Sequence, residues 1–211
     1  MEIYGEKPKR FTKEWWEYFW DYYKWHTIAA IVVLTVIIST VTECANRVHY
    51  DLQLDFISNE TLTTDAQEAL IALMEKNIDD VTENGRNEAY VTYIDMGERN
   101  DPQYVQAMRT KYAVELGSTE AFLFLVSREY ADELIDGEIL VKAENWCDAP
   151  SYRGYCIDLS DCAALKEIGI NTDDLYACII KIRETNESKR EKLVPKQENG
   201  IKFAKFLIDK R

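Results

Sequence analysis

Few residues in this sequence have the spacing that catalysis or metal binding requires. The two histidines, His26 and His49, lie on either side of a long apolar run, and no Ser–His–Asp set, P-loop, HExxH or paired CxxC motif occurs. The segment 80–85 begins like a calcium loop, but its twelfth position is Val91 where a bidentate Glu is required. We therefore interpret this segment as a turn, and we predict no enzyme, no metal site and no cofactor.

Polar residues at the ends of predicted strands are better candidates for binding. Three strands are expected at 48–58, 88–96 and 121–127, all running parallel. Because ligands of open parallel sheets bind beyond the carboxyl ends of the strands, the residues that follow these strands predict a ligand-binding rim. The candidates are Ser58, Asn59, Gly97, Asn100, Ser127 and Arg128. Ordinary loop polarity explains any single one of them better, so the prediction depends on the whole set.

The pattern of apolar residues predicts the elements that would position this rim. Residues 48–58 alternate between apolar and polar side chains, and 121–127 form the continuous apolar run typical of a strand covered on both faces. Thr64 and Gln67 fit a capping box before a helix that ends near Ile78, and a second helix is expected at 103–116. Three strands joined by two helical crossovers predict a parallel βαβαβ unit.

Smaller elements are expected around that unit. They are a short helix at 128–135, a short strand at 138–142, an irregular stretch at 143–170, a strand antiparallel to the others at 174–183, and a final helix at 199–211. Residues 184–198 are polar and contain no candidate site. The predicted fold class is α/β, with a single N-terminal transmembrane helix followed by a three-layer domain. Its sheet is expected to be a mainly parallel βαβαβ sheet plus an antiparallel strand.

The apolar run from Thr27 to Thr42 contains no charge, no Gly and no Pro. Extended to Trp25 and Ala45, it provides enough helix to cross roughly 30 Å of hydrocarbon. A cleaved signal peptide has a similar apolar core, but it usually starts with a brief basic segment and ends at a small-x-small cleavage site. Neither feature is present here, so we interpret the run as an uncleaved anchor. The predicted domains are a cytoplasmic aromatic juxtamembrane segment (1–26), a transmembrane helix (27–46) and an extracytoplasmic α/β domain (48–211).

The charges that flank this run predict its orientation. Lys and Arg residues close to a membrane span remain on the cytoplasmic side. Arg47 is the one basic residue shortly after the run, whereas five precede it. These five are Lys7, Lys9, Arg10, Lys13 and Lys24. We therefore expect a single-pass protein of the cell membrane, with a cytoplasmic N-terminus and an extracellular C-terminal domain.

Aromatic residues are concentrated directly before the apolar run. Phe11, Trp15, Tyr18, Tyr22 and Trp25 recur at spacings of three or four, which places them on one face of a helix. Trp and Tyr favour the membrane–water boundary because each ring is apolar at one end and can form a hydrogen bond at the other. Two interpretations remain open: an interfacial anchor, or a surface that contacts the transmembrane helix of a partner protein.

The charge balance limits the classes of partner. The chain has 25 Lys and Arg against 38 Asp and Glu, a formal net charge of −13. The residues before the run carry equal numbers of both signs, so the excess lies beyond it. Nucleic acid is not expected as a partner, because its recognition requires a basic surface. The negative charge serves solubility or, as the alternative, attracts divalent cations or a cationic partner.

Four cysteines lie in the part of the chain that we expect to be exported. They are Cys147, Cys156, Cys162 and Cys178, which allow three connectivities if all of them pair. Thiols outside the cytoplasm tend to oxidise, and the irregular stretch around Pro150 favours a disulfide between Cys147 and Cys156. Cys178, inside a predicted strand, is as well explained as a small buried residue. Free buried thiols at all four positions remain the alternative.

One stretch resembles a known family. Residues 101–141 resemble extracellular solute-binding proteins of the type 2 periplasmic-binding fold, in a helix, a Gly turn, an apolar strand and a second helix before a Gly. The matching positions are Tyr104, Met108, Leu116, Gly117, Phe122–Val126, Tyr130, Leu134 and Gly137. The segment FAKFLIDKR also resembles the closing helix of that family. The whole chain is similar to small membrane-anchored proteins of Gram-positive bacteria.

The resemblance implies a binding function. A solute-binding protein closes two lobes on its ligand, and this chain has the length for one lobe. We therefore expect a non-enzymatic, membrane-anchored extracytoplasmic module that binds or senses an unidentified ligand. The alternative is a structural accessory subunit that contacts a membrane protein through its juxtamembrane and transmembrane helix.

Overall fold

The computed structural model describes residues 12–45, 49–97, 101–118 and 120–211. It divides into two compact units, Met1–Val48 and His49–Arg211, which are described separately below. Several residues used in the predictions lie outside the described ranges. They are Lys7, Lys9, Arg10, Phe11, Arg47 and Asn100.

The first unit is one long helix, α1, from Lys13 to Ala45. It begins after Thr12, whose hydroxyl accepts a hydrogen bond from the backbone N–H of Trp15 at 3.3 Å. Its 33 residues contain no Gly or Pro and extend about 50 Å at 1.5 Å per residue. The segment Tyr23–Thr42, with 20 residues, is long and apolar enough to span a membrane. The side chains of Tyr18, Tyr22 and Cys44 are not among those described.

Three threonines within that segment satisfy their hydroxyl groups inside the helix. Thr35, Thr40 and Thr42 each donate a hydrogen bond to the carbonyl oxygen four residues earlier, at 2.8–2.9 Å. This local bonding removes the cost of placing a free hydroxyl in an apolar environment. These three hydroxyl groups therefore do not prevent that part of α1 from lying in hydrocarbon.

The second unit is an α/β domain around a five-stranded mixed sheet with the order β2-β1-β3-β5-β4. The strands are β1 (Leu52–Ser58), β2 (Ala89–Asp95), β3 (Ala121–Ser127), β4 (Ile157–Asp158) and β5 (Leu175–Ile179). Strand β1 pairs in parallel with β2 and with β3, and β5 runs antiparallel to both β3 and β4. The predicted parallel unit with an added antiparallel strand is therefore confirmed. The predicted strand at 138–142 is wrong, because Glu138 has a φ of 56° and only Leu140 bridges to Ile180.

The helices of this domain are α2 (Thr64–Glu75), α3 (Pro102–Gly117), α4 (Arg128–Asp136), α5 (Ala163–Glu167) and α6 (Glu187–Asp209), with a 3-10 turn at Ala143–Asn145. Thr63, and not the predicted Thr64, caps α2 by accepting a hydrogen bond from the backbone N–H of Ala66 at 3.2 Å. Asp101 caps α3 through the N–H of Gln103 at 2.9 Å. Both caps use the side-chain oxygen to satisfy a free N–H of the first turn.

The last helix is longer than the sequence indicates. We expected it to begin at Asn199, whereas α6 begins at Glu187, and the side chain of Asn186 caps it. Pro195 lies inside the helix. Proline removes a backbone donor and usually interrupts a helix, and for this reason the polar turns before it gave no helical signal. Gly200 lets α6 approach the sheet, since a Cβ at this position would lie 3.4 Å from the Cβ of Leu123.

Two hydrophobic clusters hold the helices against the sheet. Leu52 and Leu54 of β1 belong to the first cluster, with buried residues of α2 and α6. Ile57 of β1 belongs to the second cluster, with Tyr112 of α3 and Leu134 of α4. Successive side chains of a strand point to opposite faces, so residues of opposite parity in β1 serve different clusters. The pair α2 and α6 therefore packs separately from the pair α3 and α4.

The carboxylate of Asp51 fixes the start of β1. It is fully buried and accepts hydrogen bonds from the backbone N–H groups of Val81, Thr82 and Glu88 at 2.8–2.9 Å. Asn199 of α6 donates to the carbonyl oxygen of Asp51 at 3.2 Å. The loop between α2 and β2, the first residues of β1 and the middle of α6 are thus joined by hydrogen bonds to two side chains. The neighbouring carboxylate of Asp80 accepts bonds from N–H groups within its own turn.

Side chains also occupy the edge of the sheet at β2. Gln67 of α2 donates to the carbonyl oxygen of Val91 at 2.9 Å, and Lys111 of α3 donates to that of Tyr93 at 2.8 Å. Unpaired carbonyl groups on an edge strand would otherwise be available to a strand of another chain. These two contacts therefore protect the edge at two positions.

The disulfide of the structure differs from the one we expected. Cys156 is bonded to Cys178, and Cys147 and Cys162 are free thiols. The pairing of Ile157 with Ala177 places Cys156 opposite Cys178, with a Cα–Cα distance of 4.7 Å. The thiol of Cys147 instead accepts a hydrogen bond from the N–H of Ala149 at 3.3 Å. The prediction of a Cys147–Cys156 bridge was wrong because neighbours across a sheet, and not neighbours along a loop, are within disulfide reach.

We predict that an unfolded, unreduced chain will react with an alkylating reagent at Cys147 and Cys162 but not at Cys156 and Cys178. Replacing Cys178 by Ala should lower the free energy of unfolding by about 3 kcal/mol, because the bond closes a loop with a sequence separation of 22. Peptide mapping and urea denaturation of the purified protein measure both effects. Cys147→Ser is the matched control and should leave stability nearly unchanged. A Cys147–Cys156 peptide, or alkylation of all four thiols, would contradict the prediction.

Candidate functional site

The carboxyl ends of β1 and β3 lie side by side and lead to different helices. After Ser58 the chain continues to α2, and after Ser127 it continues directly into α4, while these helices belong to different hydrophobic clusters. Neighbouring parallel strands whose connections diverge in this way leave a crevice at their carboxyl ends. The rim, as used below, comprises Ser58–Glu60, Asp95–Gly97 and Ser127–Tyr130 together with the turn 171–174 before β5.

The structure brings two serines of the rim together. The hydroxyl of Ser127 donates to that of Ser58 at 3.4 Å, and the Ser58 oxygen also accepts a bond from the N–H of Glu60 at 3.0 Å. Ser58 is buried and Ser127 is half-buried. These two hydroxyls therefore link the ends of β1 and β3, and the buried Ser58 is not exposed to a ligand.

Asn59 is the exposed polar residue at this point of the rim. Its side-chain oxygen accepts a hydrogen bond from the hydroxyl of Tyr130 at 3.2 Å. Tyr130 is buried in α4, and its burial raises the pKa of the phenol to about 12, so it remains a donor at neutral pH. The contact holds the amide of Asn59 in one orientation with its nitrogen available. Sequence reasoning found Asn59 but gave Tyr130 no role in the rim.

Gly97 lies just after the end of β2, in the third segment of the rim. The carbonyl oxygen of Ser58 accepts a hydrogen bond from the N–H of Met96 at 2.9 Å, and the N–H of Gly97 donates to Asp95 at 3.0 Å. A Cβ on Gly97 would lie 2.6 Å from the carbonyl oxygen of Asn59. Glycine is thus required because the two backbones approach too closely for a side chain. Asn100, the other candidate of this loop, lies outside the described residues.

Arg128 is held by partners that sequence reasoning did not identify. Its guanidinium forms an ion pair with Asp174 at 3.1 Å and donates to the hydroxyl of Tyr176 at 2.8 Å. The guanidinium carbon also lies 5.6 Å from the ring centre of Tyr152 and 5.7 Å from that of Tyr176. Asp174 and Tyr176 come from the start of β5. The antiparallel strand expected at 174–183 was the available signal, since an antiparallel strand starts at the edge of the sheet where the parallel strands end; its pairing with β3 is a finding of the structure.

The start of α4 is capped by a distant residue. Ser127 occupies the N-cap position without a side-chain hydrogen bond to the helix. The carboxylate of Asp174 accepts a bond from the backbone N–H of Arg128 at 3.3 Å. A carboxylate at this position also interacts favourably with the positive end of the helix dipole. The first turn of α4 is therefore already occupied by a negative charge of the protein itself.

Aromatic and charged side chains extend the rim along α4. The hydroxyl of Tyr152 donates to the carboxylate of Asp132 at 3.2 Å, and Arg153 forms ion pairs with Asp132 at 2.7 Å and Asp136 at 2.8 Å. The Arg153 guanidinium lowers the pKa of Asp132. Tyr and Arg side chains of this kind are frequent among the energetically important residues of protein interfaces.

The cavities of the domain are small at the rim. A crevice of about 50 Å³ lies between Asp95–Gly97 and residues of α3, including Tyr104 and Met108. A larger cleft of about 500 Å³ is lined by residues 144–149 and the last turns of α6, and it shares no residue with the rim. Sites for small molecules usually measure about 300–1,000 Å³. The described residues of the rim therefore form an open surface and not an enclosing pocket.

The rim can form hydrogen bonds and ion pairs. It offers an amide, a guanidinium, carboxylates and phenols in fixed positions. Among the described residues, no group of three or more His, Cys, Asp or Glu is arranged to hold a metal ion. No family model, curated protein or solved structure matches the chain. The geometry of the rim and of α1 therefore carries the functional inference.

We predict that Gly97→Ala will lower the free energy of unfolding by roughly 1–3 kcal/mol, because the new Cβ displaces the backbone at Asn59. Urea denaturation measures the change. Gly117→Ala is the control: no described atom lies within 4 Å of a Cβ at that position, so stability should be unchanged or slightly higher. Equal stability of both variants would show that the close approach at Gly97 imposes no constraint.

Proposed function

We propose that this protein is a single-pass membrane protein whose C-terminal domain lies outside the cytoplasm and binds a partner through the rim, without catalysis. The observation that carries the proposal is the convergence of Asn59, Arg128 and Gly97 at the ends of three parallel strands. Each is fixed by contacts from another element of the domain. Exposed polar groups held in this way suit recognition, since little conformational entropy is lost when they bind.

The membrane part of the proposal is supported by the length and exposure of α1. Its apolar segment of 20 residues matches roughly 30 Å of hydrocarbon, and none of it is buried by the protein. A signal peptide would also contain such a segment. The long aromatic and charged stretch before it favours an anchor that is retained. Lys13 precedes the segment and Lys24 lies at its N-terminal end, and both support a cytoplasmic N-terminus.

We also infer a three-layer arrangement of the domain. The pair α2 and α6 would cover one face of the sheet, and the pair α3 and α4 the other. The support comes from the two separate hydrophobic clusters and from the alternation of β1 residues between them. This arrangement is expected for a lobe similar to those of solute-binding proteins, and it leaves the carboxyl ends of the strands accessible.

The size of the crevice favours a large partner. At about 50 Å³ it cannot enclose most of a small molecule, so such a ligand would remain largely hydrated and bind weakly. The tyrosines and arginines beside it suit a protein surface. The formal net charge of −13 favours a partner with positive charge and faster association at low salt.

We predict that residues after the apolar segment are accessible from outside the cell and those before it are not. A protease added to intact cells should remove a C-terminal tag, whereas an N-terminal tag should become accessible only after permeabilisation. The physical reason is the excess of Lys and Arg before the segment. External labelling of the N-terminal tag would contradict the orientation, and a C-terminal fragment secreted free of α1 would contradict the anchor.

The alternative function, an accessory subunit of a membrane complex, is favoured by a ladder of rings on α1. Trp15 stacks on Phe19 with 5.4 Å between ring centres, and Phe19 stacks on Tyr23 at 5.6 Å. The segment before Tyr23 extends α1 by roughly 15 Å, beyond an interfacial zone of about 5–8 Å on each side of the membrane. Trp16 and Trp20 are each 54% exposed. A second protein that covers these rings would account for their position.

We predict that a photo-crosslinking residue at position 59 will capture a partner on living cells. Arg128→Glu should reduce this adduct by at least roughly tenfold, because it removes an arginine of the binding surface and places a carboxylate against Asp174 and Tyr176, which hold that arginine in position. Position 114 on α3 is the control, because Val114 is 64% exposed and belongs neither to the rim nor to the aromatic rings of α1. An adduct from position 16 that does not respond to Arg128→Glu would instead support the accessory subunit. Equal adducts from 59 and 114 would contradict binding at the rim.

A further inference from the structure

The buried carboxylate of Asp55, in β1, has different partners from that of Asp51, which directly precedes the strand. Asp55 has no exposed surface. One of its oxygens accepts a hydrogen bond from the amide of Gln53 at 3.3 Å, and the other has no partner among the described residues. A buried carboxylate with so few donors is costly when it is ionised. The site therefore favours the protonated, neutral form.

The groups around Asp55 come from each neighbouring element. In the sheet, its register partners are Thr92 of β2, which contributes a hydroxyl, and Phe124 of β3, which contributes no charge. Two charged residues of α3 face the site, Glu115 and Lys111. The amide nitrogen of Gln53 lies 3.3 Å from the hydroxyl of Thr92 and 3.5 Å from the carboxylate of Glu115. One amide group thus connects Asp55 to a second carboxylate.

Electrostatics at this position oppose ionisation. Burial, followed by the nearby charge of Glu115, raises the pKa of Asp55 to about 7, against weaker opposing effects of Gln53, Thr92 and Lys111. The ammonium group of Lys111 is already bonded to the carbonyl oxygen of Tyr93. It is therefore not free to pair closely with Asp55 while that bond is kept.

The helix above Asp55 has few apolar contacts to hold it. Tyr112 is the buried residue of α3, whereas four residues of α4 are buried. Met108 and Leu116 of α3 are partly buried against the same cluster. The contact of α3 with β1 and β2 includes the polar group formed by Gln53, Asp55, Thr92, Lys111 and Glu115. Its packing is sensitive to the charge of that group.

We propose that Asp55 is a pH-sensitive contact under α3: when it is protonated, α3 packs on β1 and β2, and when it is ionised, its repulsion from Glu115 and its need for water loosen α3. The helix carries Tyr104, Met108 and Arg109 of the crevice beside Asp95–Gly97, so the shape of that crevice changes with α3. This inference concerns the docking of one helix and does not depend on the identity of any partner.

The direction of the pH effect follows from the proton balance. Between about pH 4 and about pH 7 the folded protein retains a proton at Asp55 that the unfolded chain has released. Proton binding by the folded state favours folding, so this contribution is present at low pH and declines as the pH rises across that window. It is constant above pH 7. The same sign applies to local opening of α3, because opening exposes Asp55 to water.

Hydrogen exchange of the full chain in detergent micelles at pH 5.5 and pH 8, corrected for the intrinsic exchange rate, tests the proposal. Protection of α3 amides should fall by at least roughly tenfold at pH 8, while α4 amides serve as the internal reference. Asp55→Asn, which keeps the shape without the charge, should keep α3 protected at both pH values. Glu115→Gln should move the midpoint of the change to lower pH, and it tests the proposal if Asp55→Asn does not fold.

Asp161→Asn is the matched control, because that carboxylate is exposed and lies outside the polar group, and it should retain the response of the unmodified protein. Equal protection of α3 at both pH values in the unmodified protein would overturn the proposal. A pH response that persists unchanged in Asp55→Asn and in Glu115→Gln would also overturn it, since the titrating group would then lie elsewhere.

Discussion

The hydrogen bonds to Asp51 and from Asn199 are the constraint on which the domain depends most. Three backbone N–H groups of the loop before β2 converge on one buried carboxylate, and the amide of Asn199 bonds both to Asp51 and to the loop at Asp79. These bonds place the start of β1 beside the start of β2 and attach α6 to the start of β1 and to the loop that precedes β2. The register of the parallel pair is thereby set at one end, which determines that Ser58 and Asp95 are neighbours at the other.

Asp51 and Asp55 show how the same side chain can have opposite effects on one strand. The carboxylate of Asp51 accepts three hydrogen bonds from backbone N–H groups of the loop, so its burial organises the fold. Asp55 is equally buried but has an amide as its donor and a carboxylate as its neighbour. A polar group of this kind weakens packing when it is ionised and is tolerated when it is neutral. We infer that the difference gives α2 and α6 a firm attachment and α3 a conditional one.

The parts of the fold that could be predicted from the sequence are those with local signals. The apolar run at 121–127 coincides with β3, and Asp101-Pro102 with the start of α3, because periodicity and capping depend on nearby residues. The sequence did not reveal the first turns of α6, where Pro195 masks the helix, or the bond between Cys156 and Cys178. The disulfide depends on the pairing of β4 with β5, which is a tertiary contact. The predicted rim residues that the structure describes lie at the strand ends, but the partners that orient Asn59 and Arg128 come from α4 and from β5 with the turn before it.

The arrangement around Arg128 bears on what the proposed rim can bind. A free arginine at the end of β3 would attract an anion, and the first turn of α4 would add to that attraction. The carboxylate of Asp174 already provides this negative charge. It accepts a hydrogen bond from the backbone N–H of Arg128 in the first turn of α4 and forms an ion pair with the guanidinium of the same residue. An anionic ligand would have to displace a carboxylate that the protein itself holds in place. A partner that approaches the exposed faces of Arg128, Tyr152 and Asn59 without displacing Asp174 costs less, and this favours a protein surface over a free anion as the occupant of the rim.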